Sequence, residues 1–436
     1  MNQNQHFIHT CKTDTCAITG ASAFFLGIKD SVIVVNGSKF CYLQMMHHLE
    51  RSFFGPVKNR MFCTNLQENG IIYGNADNLK AVLEHIKENL NPSIICLQNN
   101  CAASLIGDDL EGIAAVYHFS CPVIVLDCGG IQGSFQEGFN KAAEQFFSLM
   151  KVVDEDVDKE YCSVNIIGAT EACYNYRYDK QEILKLLSLA GIKVLHFIPD
   201  EINIEELHNL KQACLNVVLY SELGTQIAKV LEKKFGIPYI QPDLPYGIQG
   251  SHAWLCSILT ALPVPDRKNR LIFINSFFDD LKKQVKSEFE KLKKEYGEIW
   301  IDQIHIAGNF SVVWGLAEAL RKECVNYDAM HLTIYNNCKN RLLEEGLKNR
   351  YYTVSYEFHA EKIVNDKRCF LFGSFNEHMQ MLSCENKGIV GYCCISYPVN
   401  DYISFAPYMG LEGYRHLMMQ LWNYCINNSY LLIAGK

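Results

Sequence analysis

Three cysteines in the first quarter of the chain have the residue type and the setting needed to bind metal clusters. Cys16 precedes the glycine-containing stretch AITGASAFFLG, Cys41 follows NGSKF 25 residues later, and Cys101 follows QNN another 60 residues on. Each stands beside small residues of an expected turn, where backbone amides can approach a ligand. Thiolates bind iron–sulfur clusters, and amide donors near them tune the cluster potential. The setting favours iron–sulfur chemistry for these three side chains.

The other cysteines are expected to be packing residues or distant ligands. The chain has 19 cysteines, no C-x-x-C pair and no recognisable secretion signal. Disulfides are therefore not expected, nor are zinc ribbons, thioredoxin motifs or ferredoxin runs. A buried free thiol behaves as a small hydrophobe. A structural role is predicted for six cysteines in apolar runs: Cys214, Cys256, Cys324, Cys369, Cys393 and Cys394.

Composition excludes several classes of protein. The 436 residues are 49% hydrophobic and 20% charged, with a formal net charge of −8. An acidic chain lacks the basic surface of nucleic-acid binders, so no nucleic-acid partner is expected. No apolar run reaches the 18 residues that a membrane span needs. A packed, cytoplasmic protein of two or three domains is predicted.

Hydrophobic periodicity predicts an α/β fold. Short β-rich runs such as PSIICLQ, CSVNIIGA, KVLHFIPD, DQIHIAG and RCFLFGS alternate with amphipathic helical runs such as KQEILKLLSLAG and GTQIAKVLEKKFG. This alternation is typical of parallel, doubly wound sheets covered by helices on both faces. Domains are predicted over 1–160, 161–265 and 266–436, with ligands expected in the cleft between them. The lysine-rich segment 276–296 is predicted to be a solvated helix.

Nucleotide-binding loops of the familiar kinds are missing from the sequence. It contains no G-x-x-x-x-G-K-[ST] motif, and no G-x-G-x-x-G follows a strand segment. ATP hydrolysis by a Walker-type mechanism is therefore not expected. The glycine clusters at 20–27 and 128–134 have a different spacing, and tight turns with close packing explain them as well as a ligand-binding role does.

Several motifs together resemble one family. The set C-x-x-x-GA, GIKD, NG-x-x-x-C and C-x-x-x-LIGDD, followed by CGGIQGS, KKFGIPYI and SYPVNDYISFAPYMGLEGY, resembles the subunits of nitrogenase component 1 and of nitrogenase-like reductases and cofactor scaffolds. The match extends over nearly the whole chain, with a poor fit at 264–300. The resemblance implies three Rossmann-like domains around a central cleft.

By this resemblance, Cys16, Cys41 and Cys101 would ligate one cluster near a subunit interface. The cluster would be a [4Fe–4S] centre or half of a larger P-type [8Fe–7S] cluster. Three thiolates leave a four-iron cluster one ligand short. A partner subunit, Cys11 or an oxygen ligand would complete it. Cys128 is expected to be structural.

Two acidic residues follow Cys101 in the same motif. Asp108 and Asp109 lie where the next helix is expected to begin. Acidic side chains are favoured near a helix N-terminus by the macrodipole. Both are therefore predicted to be helix-start acids rather than metal ligands.

The chain departs from dinitrogen-reducing subunits at the second cofactor. Aligned by the same motifs, Tyr220 and Met409 replace the cysteine and histidine that hold the iron–molybdenum cofactor, and neither is a good substitute ligand. His252 or His416 could serve instead. A second metallocofactor therefore stays possible but unidentified. The residues predicted to line the cleft are Tyr220, Ser221, Gly308, Asn309, Gly373, Ser374 and Met409.

The expected activity is low-potential electron relay. A separate ATP-dependent iron–sulfur reductase would pass electrons to the cluster, and the cluster would pass them to a substrate or second cofactor in the cleft. A homologous component 1 subunit would complete a heterotetramer or homodimer. Two other functions remain open: a scaffold on which a metal cofactor is assembled, and a metal-free α/β binding protein with inert thiols. The sequence does not identify a substrate.

Overall fold

A computed structural model describes residues 15–53, 55–149, 158–297, 300–323, 326–335, 352–360, 368–383, 390–397 and 406–434. Cys11 and Cys324 lie outside these residues. The strands are β1 Ser31–Asn36, β2 Met61–Cys63, β3 Ile94–Asn99, β4 Val123–Asp127, β5 Ser163–Ala169, β6 Lys193–Pro199, β7 Leu215–Val218, β8 Tyr239–Ile240, β9 Trp300–Gly308, β10 Asn326–Ile334, β11 Tyr352–Ser355, β12 Cys369–Gly373 and β13 Val390–Cys394.

Helices connect most of these strands. They are α1 Ala17–Leu26, α2 Lys39–Ser52, α3 Glu68–Tyr73, α4 Ala76–Asn89, α5 Cys101–Ile106, α6 Leu110–Ala115, α7 Phe135–Leu149, α8 Tyr176–Leu189, α9 Ser221–Phe235, α10 Gly247–Ala261, α11 Arg267–Tyr296, α12 Phe310–Glu323, α13 Phe375–Ser383 and α14 Gly410–Ala434. Among the described residues, no helix is both long and apolar enough to cross a membrane.

Three parallel sheets form the framework. Their strand orders are β2-β1-β3-β4, β6-β5-β7-β8 and β11-β10-β9-β12-β13. Every strand pair within them is parallel. The doubly wound α/β class is thereby confirmed, and each strand run quoted above contains a strand. The sheets occupy separate stretches of sequence, while domain boundaries at 160 and 265 stay a prediction.

The first sheet places two of the three cysteines at its ligand-binding edge. The chain winds outward in one direction from β1 to β2 and in the other from β3 to β4. Cys41 follows β1, and Cys101 follows β3. In open parallel sheets, ligands bind beyond the carboxyl ends of the strands where the winding direction changes. The two cysteines flank that position.

Helices α1 and α7 pack backbone to backbone at the base of this edge. A Cβ on Gly20 would lie 1.8 Å from the Phe135 carbonyl oxygen, and one on Gly138 would lie 1.8 Å from the Ala17 carbonyl oxygen. The Ala17 amide donates to the Gly133 carbonyl oxygen at 3.0 Å. All ten residues of α1 are buried. The position of Cys16 is therefore fixed by contacts that only glycine permits.

The lysine-rich helix is longer than predicted. It extends over Arg267–Tyr296, and Ile274 and Phe278 on its inner face are fully buried. The ring of His252 on α10 stacks on Phe278 with centroids 4.9 Å apart. Within 276–296, Phe278 is the one buried residue and most of the others are exposed, as expected of the predicted solvated helix.

Replacing Gly20 by alanine tests the α1–α7 contact. The added Cβ would overlap the Phe135 carbonyl, so the two helices must separate. We expect Gly20→Ala to lower the free energy of unfolding by more than about 2 kcal/mol, measured by urea denaturation. Gly250→Ala on α10 is the matched control, because the nearest atom to its Cβ would be 3.6 Å away. Equal stability of the two variants would contradict the contact.

Candidate metal centre and central cavity

All three candidate cysteines lie at the starts of helices. Cys16 is the N-cap residue of α1 and Cys101 is the first residue of α5. Cys41 lies in the first turn of α2, five residues after β1 ends. Free backbone N–H groups and the helix macrodipole both favour a thiolate at such positions.

The glycine pair after β4 brings Cys16 and Cys101 together. A Cβ placed on Gly130 would lie 3.6 Å from the Cys101 Sγ atom and 3.8 Å from the Cys16 Sγ atom. A Cβ on Gly129 would lie 2.5 Å from the Cys101 amide nitrogen. The CGGIQGS segment is therefore a close-packing element, one of its two predicted roles. Gly130 therefore packs directly against the side chains of both cysteines.

Cys41 faces the same region through a cavity of about 380 Å³ that it lines together with Cys16. The pKa of the Cys16 thiol is raised, chiefly by burial and in smaller part by the Cys101 and Cys41 thiols. Hydrogen bonds from the Ile18 and Thr19 amides act in the opposite direction. A bound cation would favour the deprotonated thiols, because metal binding releases their protons.

The described donor set forms no site for a single metal ion. Among the described residues, no three His, Cys, Asp or Glu side chains converge on one metal position. In an iron–sulfur cluster each thiolate binds a different iron, so its ligands are spread around the cluster. The hydroxyl of Thr15, which lines the same cavity, is buried without a hydrogen-bond partner within the described ranges. The site thus offers spread thiols and an unsatisfied polar atom.

A network of asparagines holds the cysteine-bearing loops together. The Asn36 side chain donates to Asn99 Oδ1 at 2.9 Å and accepts from Asn75 Nδ2 at 2.8 Å. Asn100 Oδ1 accepts from the Ala103 amide at 2.9 Å and caps α5. These residues join the carboxyl ends of β1 and β3, so the network fixes the relative positions of Cys41 and Cys101.

The two predicted helix-start acids act at different helices. Asp109 caps α6 by accepting from the Gly112 amide at 2.9 Å. Asp108 instead accepts from the Asn75 amide at 2.9 Å, at the start of α4. Cys128 is fully buried and its thiol contacts Gln98 Oε1 at 3.6 Å, which agrees with its structural role.

Cys63 is a neighbour of the site that the sequence patterns did not reveal. It ends β2, and its Sγ lies 3.5 Å from the Gly37 carbonyl oxygen. Burial raises the pKa of its thiol, and the Cys41 thiol contributes to the shift. Cys63 therefore lies near Cys41, although the 21 residues between the two positions match no C-x-x-C spacing.

A second, smaller cavity of about 70 Å³ lies at the centre of the molecule. Three predicted cleft residues line it: Tyr220, Gly308 and Asn309. The other four predicted cleft residues do not: Ser221, Gly373, Ser374 and Met409. Neither His252 nor His416 lines it.

Three of these four residues use polar groups in hydrogen bonds within the fold. The Ser221 hydroxyl donates to Glu222 Oε2 at 2.9 Å. The Ser374 amide donates to Glu377 Oε2 at 2.7 Å, just after Gly373 ends β12. Met409 is fully buried, and its amide donates to Asp179 Oδ1 at 2.8 Å. Serine hydroxyls and amides at strand ends are here used by the fold itself.

His48 and Tyr397 line both cavities and form the wall between them. Their ring centroids are 5.3 Å apart in an edge-to-face arrangement. His48 lies seven residues after Cys41, so it is on the same face of α2 two turns later. Sequence analysis missed it because α2 was not predicted around Cys41. Burial lowers the pKa of His48 to about 4, and His47 and Arg51 add to the shift.

Comparison with known proteins gives a consistent result. A family described as Nitrogenase component 1 type Oxidoreductase matches residues 16–425. The nitrogenase iron-molybdenum cofactor biosynthesis protein NifE of Nostoc sp. (strain PCC 7120) is 32% identical over 262 residues, which are 58% of this chain and 53% of that protein. The chain thus spans about half the length of the NifE relatives it matches.

Other relatives match over different lengths. The nitrogenase molybdenum-iron protein alpha chain of Methanothermobacter marburgensis is 26% identical over 96% of this chain and 89% of its own. A light-independent protochlorophyllide reductase polypeptide of Chaetosphaeridium globosum is 32% identical over 36% of this chain and 32% of its own. The solved structure of nitrogenase Cp1 at pH 6.5 has a TM-score of 0.74 at 17% identity, covering 98% of this chain and 95% of that one. This last likeness supports the fold alone.

The lowered pKa of His48 predicts acid sensitivity. Below pH 6.5 the unfolded chain protonates this imidazole, while the folded protein resists protonation until about pH 4. Folding therefore loses stability as the pH falls through this window. We expect His48→Gln to lose less free energy of unfolding than the wild type between pH 6.5 and pH 4.5, by up to about 2 kcal/mol. If urea titrations give the same pH dependence of the free energy of unfolding for the two proteins, the lowered pKa of His48 is refuted.

Proposed function

Because the chain belongs to the nitrogenase component 1 type oxidoreductases, we propose that Cys16, Cys41 and Cys101 hold an iron–sulfur cluster. Through this site the protein relays low-potential electrons from an ATP-dependent iron–sulfur reductase to a molecule in the central cavity. The cluster is a [4Fe–4S] centre or half of a P-type cluster, and when bound it supplies the one-electron chemistry.

One observation carries this proposal. Thiols from three separate segments approach one another where the first sheet changes its winding direction, and Gly130 packs against the side chains of both Cys16 and Cys101. None of the described cysteines forms a disulfide, which supports a reducing compartment such as the cytoplasm.

The chain's own residues have three tasks in this function. The cysteines bind the iron atoms. The asparagine network holds the loops that carry Cys41 and Cys101 in fixed relative positions. The Ile18 and Thr19 amides at the start of α1 lower the pKa of the Cys16 thiol and so favour its thiolate. The cavity lined by Cys16 and Cys41 is called the cluster pocket. His48 and Tyr397 separate it from the central cavity and limit the exchange of water between the two.

A homologous subunit is the proposed source of the fourth ligand. Large apolar side chains surround the cysteines in solvent: Phe40 is 75% exposed, Leu105 is 80% exposed and Ile131 is 71% exposed. Phe40 precedes Cys41, Leu105 follows Cys101 on α5, and Ile131 follows Gly130. Clustered exposed apolar residues mark protein interfaces. The site would then be completed across a subunit contact, in a homodimer or a heterotetramer.

A scaffold for cofactor assembly is the second candidate. It is favoured by the similarity to NifE, a cofactor biosynthesis protein. The two functions differ in what leaves the protein. A scaffold would transfer iron and sulfide to an iron-free acceptor without substrate turnover. A reductase would keep its cluster through many cycles of reduction and oxidation.

Serine substitution of each cysteine tests the cluster. We expect protein purified without oxygen to contain iron and acid-labile sulfide, and to give an electron paramagnetic resonance signal after dithionite reduction. Cys16→Ser, Cys41→Ser and Cys101→Ser should each lose most of the iron and the signal, because a hydroxyl is a poor ligand for an iron–sulfur cluster.

The matched control is Cys214→Ser in the second sheet. The Cys214 thiol contacts the Glu160 carbonyl oxygen at 3.3 Å, a contact that a hydroxyl can keep. This variant should retain full iron content. Iron-free wild type, or equal iron loss in all four variants, would contradict the cluster.

A charge on the exposed apolar surface tests the subunit contact. We expect Leu105→Glu to weaken association with a copy of the chain or a co-expressed homologous subunit at least tenfold, because a carboxylate would be desolvated at the interface. Sedimentation velocity measures the association. Ile272→Glu on α11 is the control, since Ile272 is 58% exposed and lies far along the chain from the cysteines. Equal effects of both substitutions would refute the interface.

A further inference from the structure

We propose that the central cavity binds a small, uncharged, polar molecule directly, in place of the second metallocofactor that the family resemblance suggests. The role of this molecule as electron acceptor rests on the proposed function, whereas its binding does not. Four features of the cavity support this binding: its size, its ligand set, its charges and one unsatisfied hydroxyl.

Size excludes a large cofactor. The central cavity has a volume of about 70 Å³, whereas the cavity lined by Cys16 and Cys41 has about 380 Å³. A protein cavity of roughly 150 Å³ accommodates benzene. The central cavity therefore suits a molecule of only a few non-hydrogen atoms, and a multi-iron cofactor or a tetrapyrrole would not fit.

The two positions where metal ligands were sought do not supply them, and the donor side chains that do line the cavity are Cys173, His48 and Glu222. Tyr220 takes the place where a cysteine ligand was sought, and Met409 lies outside the cavity. Burial raises the pKa of the Tyr220 and Tyr246 phenols well above the ordinary range, so both keep their protons. Protonated phenols are hydrogen-bond donors rather than metal ligands.

The lining also carries no uncompensated charge. No lysine or arginine lines the cavity within the described part of the chain. The carboxylate of Glu222 lies in the first turn of α9, where its Oε1 atom accepts from the Ser311 amide at 3.3 Å and its Oε2 atom accepts from the Ser221 hydroxyl. Its charge is thus stabilised by the N-termini of α9 and α12. His48 is neutral near pH 7 because burial depresses its pKa.

A charged guest would therefore lack a free counter-charge in a pocket lined largely by aromatic side chains. Burying an ion without a counter-charge is strongly unfavourable. An uncharged molecule avoids this penalty.

One hydroxyl indicates that the guest is polar. Ser396 lines the cavity, and its Oγ atom is buried without a hydrogen-bond partner among the described residues. Leaving such a group unsatisfied is costly. The Asn309 amide and the His48 imidazole also belong to the lining. A guest that both donates and accepts hydrogen bonds would satisfy Ser396.

The position of the cavity suits an electron acceptor. Among the described residues, His48 and Tyr397 line both this cavity and the cluster pocket. A molecule bound here would lie one layer of side chains away from the proposed cluster.

Three planar isosteres test the charge preference: acetamide is neutral, acetate is an anion and acetamidinium is a cation. Binding is measured on the whole protein by titration with carbon-13 methyl-labelled probe, following the line width of the methyl resonance. We expect saturable binding of acetamide that is at least tenfold tighter than that of acetate or acetamidinium. Equal or tighter binding of either ion, or no saturable acetamide binding, would overturn the proposal.

Two substitutions locate the bound probe. Val312→Phe should abolish acetamide binding, because Val312 lines the cavity and the larger ring would fill it. Val285→Phe on α11 is the control, since Val285 lines a separate surface groove. If Val312→Phe does not fold, His48→Leu should weaken acetamide binding at least fivefold. Unchanged acetamide binding in the folded cavity variant would overturn the assignment.

The experiment also separates this inference from the cluster. Cys101→Ser should lose iron but bind acetamide as the wild type does, because Cys101 does not line the central cavity. Loss of iron with retained acetamide binding supports the cavity alone. Retained iron with no acetamide binding would leave the cluster in place and refute the cavity proposal.

Discussion

The close approach of α1 to α7 is the contact on which the candidate metal centre depends. Gly20 and Gly138 allow the two backbones to touch. This contact fixes the position of Cys16 relative to the loop that contains Gly129 and Gly130. The same loop packs on the Cys101 backbone. Four glycines thus bring together thiols that are far apart in sequence. A side chain at Gly20, Gly138 or Gly129 would overlap backbone atoms of the facing segment.

Parallel sheet topology supplies the second half of the arrangement. Because β1 and β3 are neighbours and run in the same direction, the segments that follow them emerge at one edge of the sheet. Buried asparagines join these segments, so polar groups that would be costly in isolation become cross-links. The cluster pocket and the central cavity share the wall of His48 and Tyr397, which makes α2 the element that connects the two sites.

Much of this architecture could be predicted from the sequence, because alternating strand and helix periodicities are strong local signals. The parallel sheets and the proximity of Cys16 to Cys101 follow from such signals and from the family motifs. Side chains placed by tertiary packing could not be predicted. His48 reaches the central cavity because α2 begins before Cys41. Ser374 lies outside the cavity lining, and its backbone amide is hydrogen-bonded to Glu377. Residues at strand ends were reasonable candidates, but the fold uses several of their polar groups itself.

The most direct test of the cluster is anomalous diffraction at the iron absorption edge, from crystals grown without oxygen. We predict one anomalous density peak among the Sγ atoms of Cys16, Cys41 and Cys101, and none in the central cavity. Crystals of iron-containing protein without a peak among these three sulfur atoms would contradict the cluster. A peak in the central cavity would restore the second metallocofactor and refute the direct binding of a small molecule there.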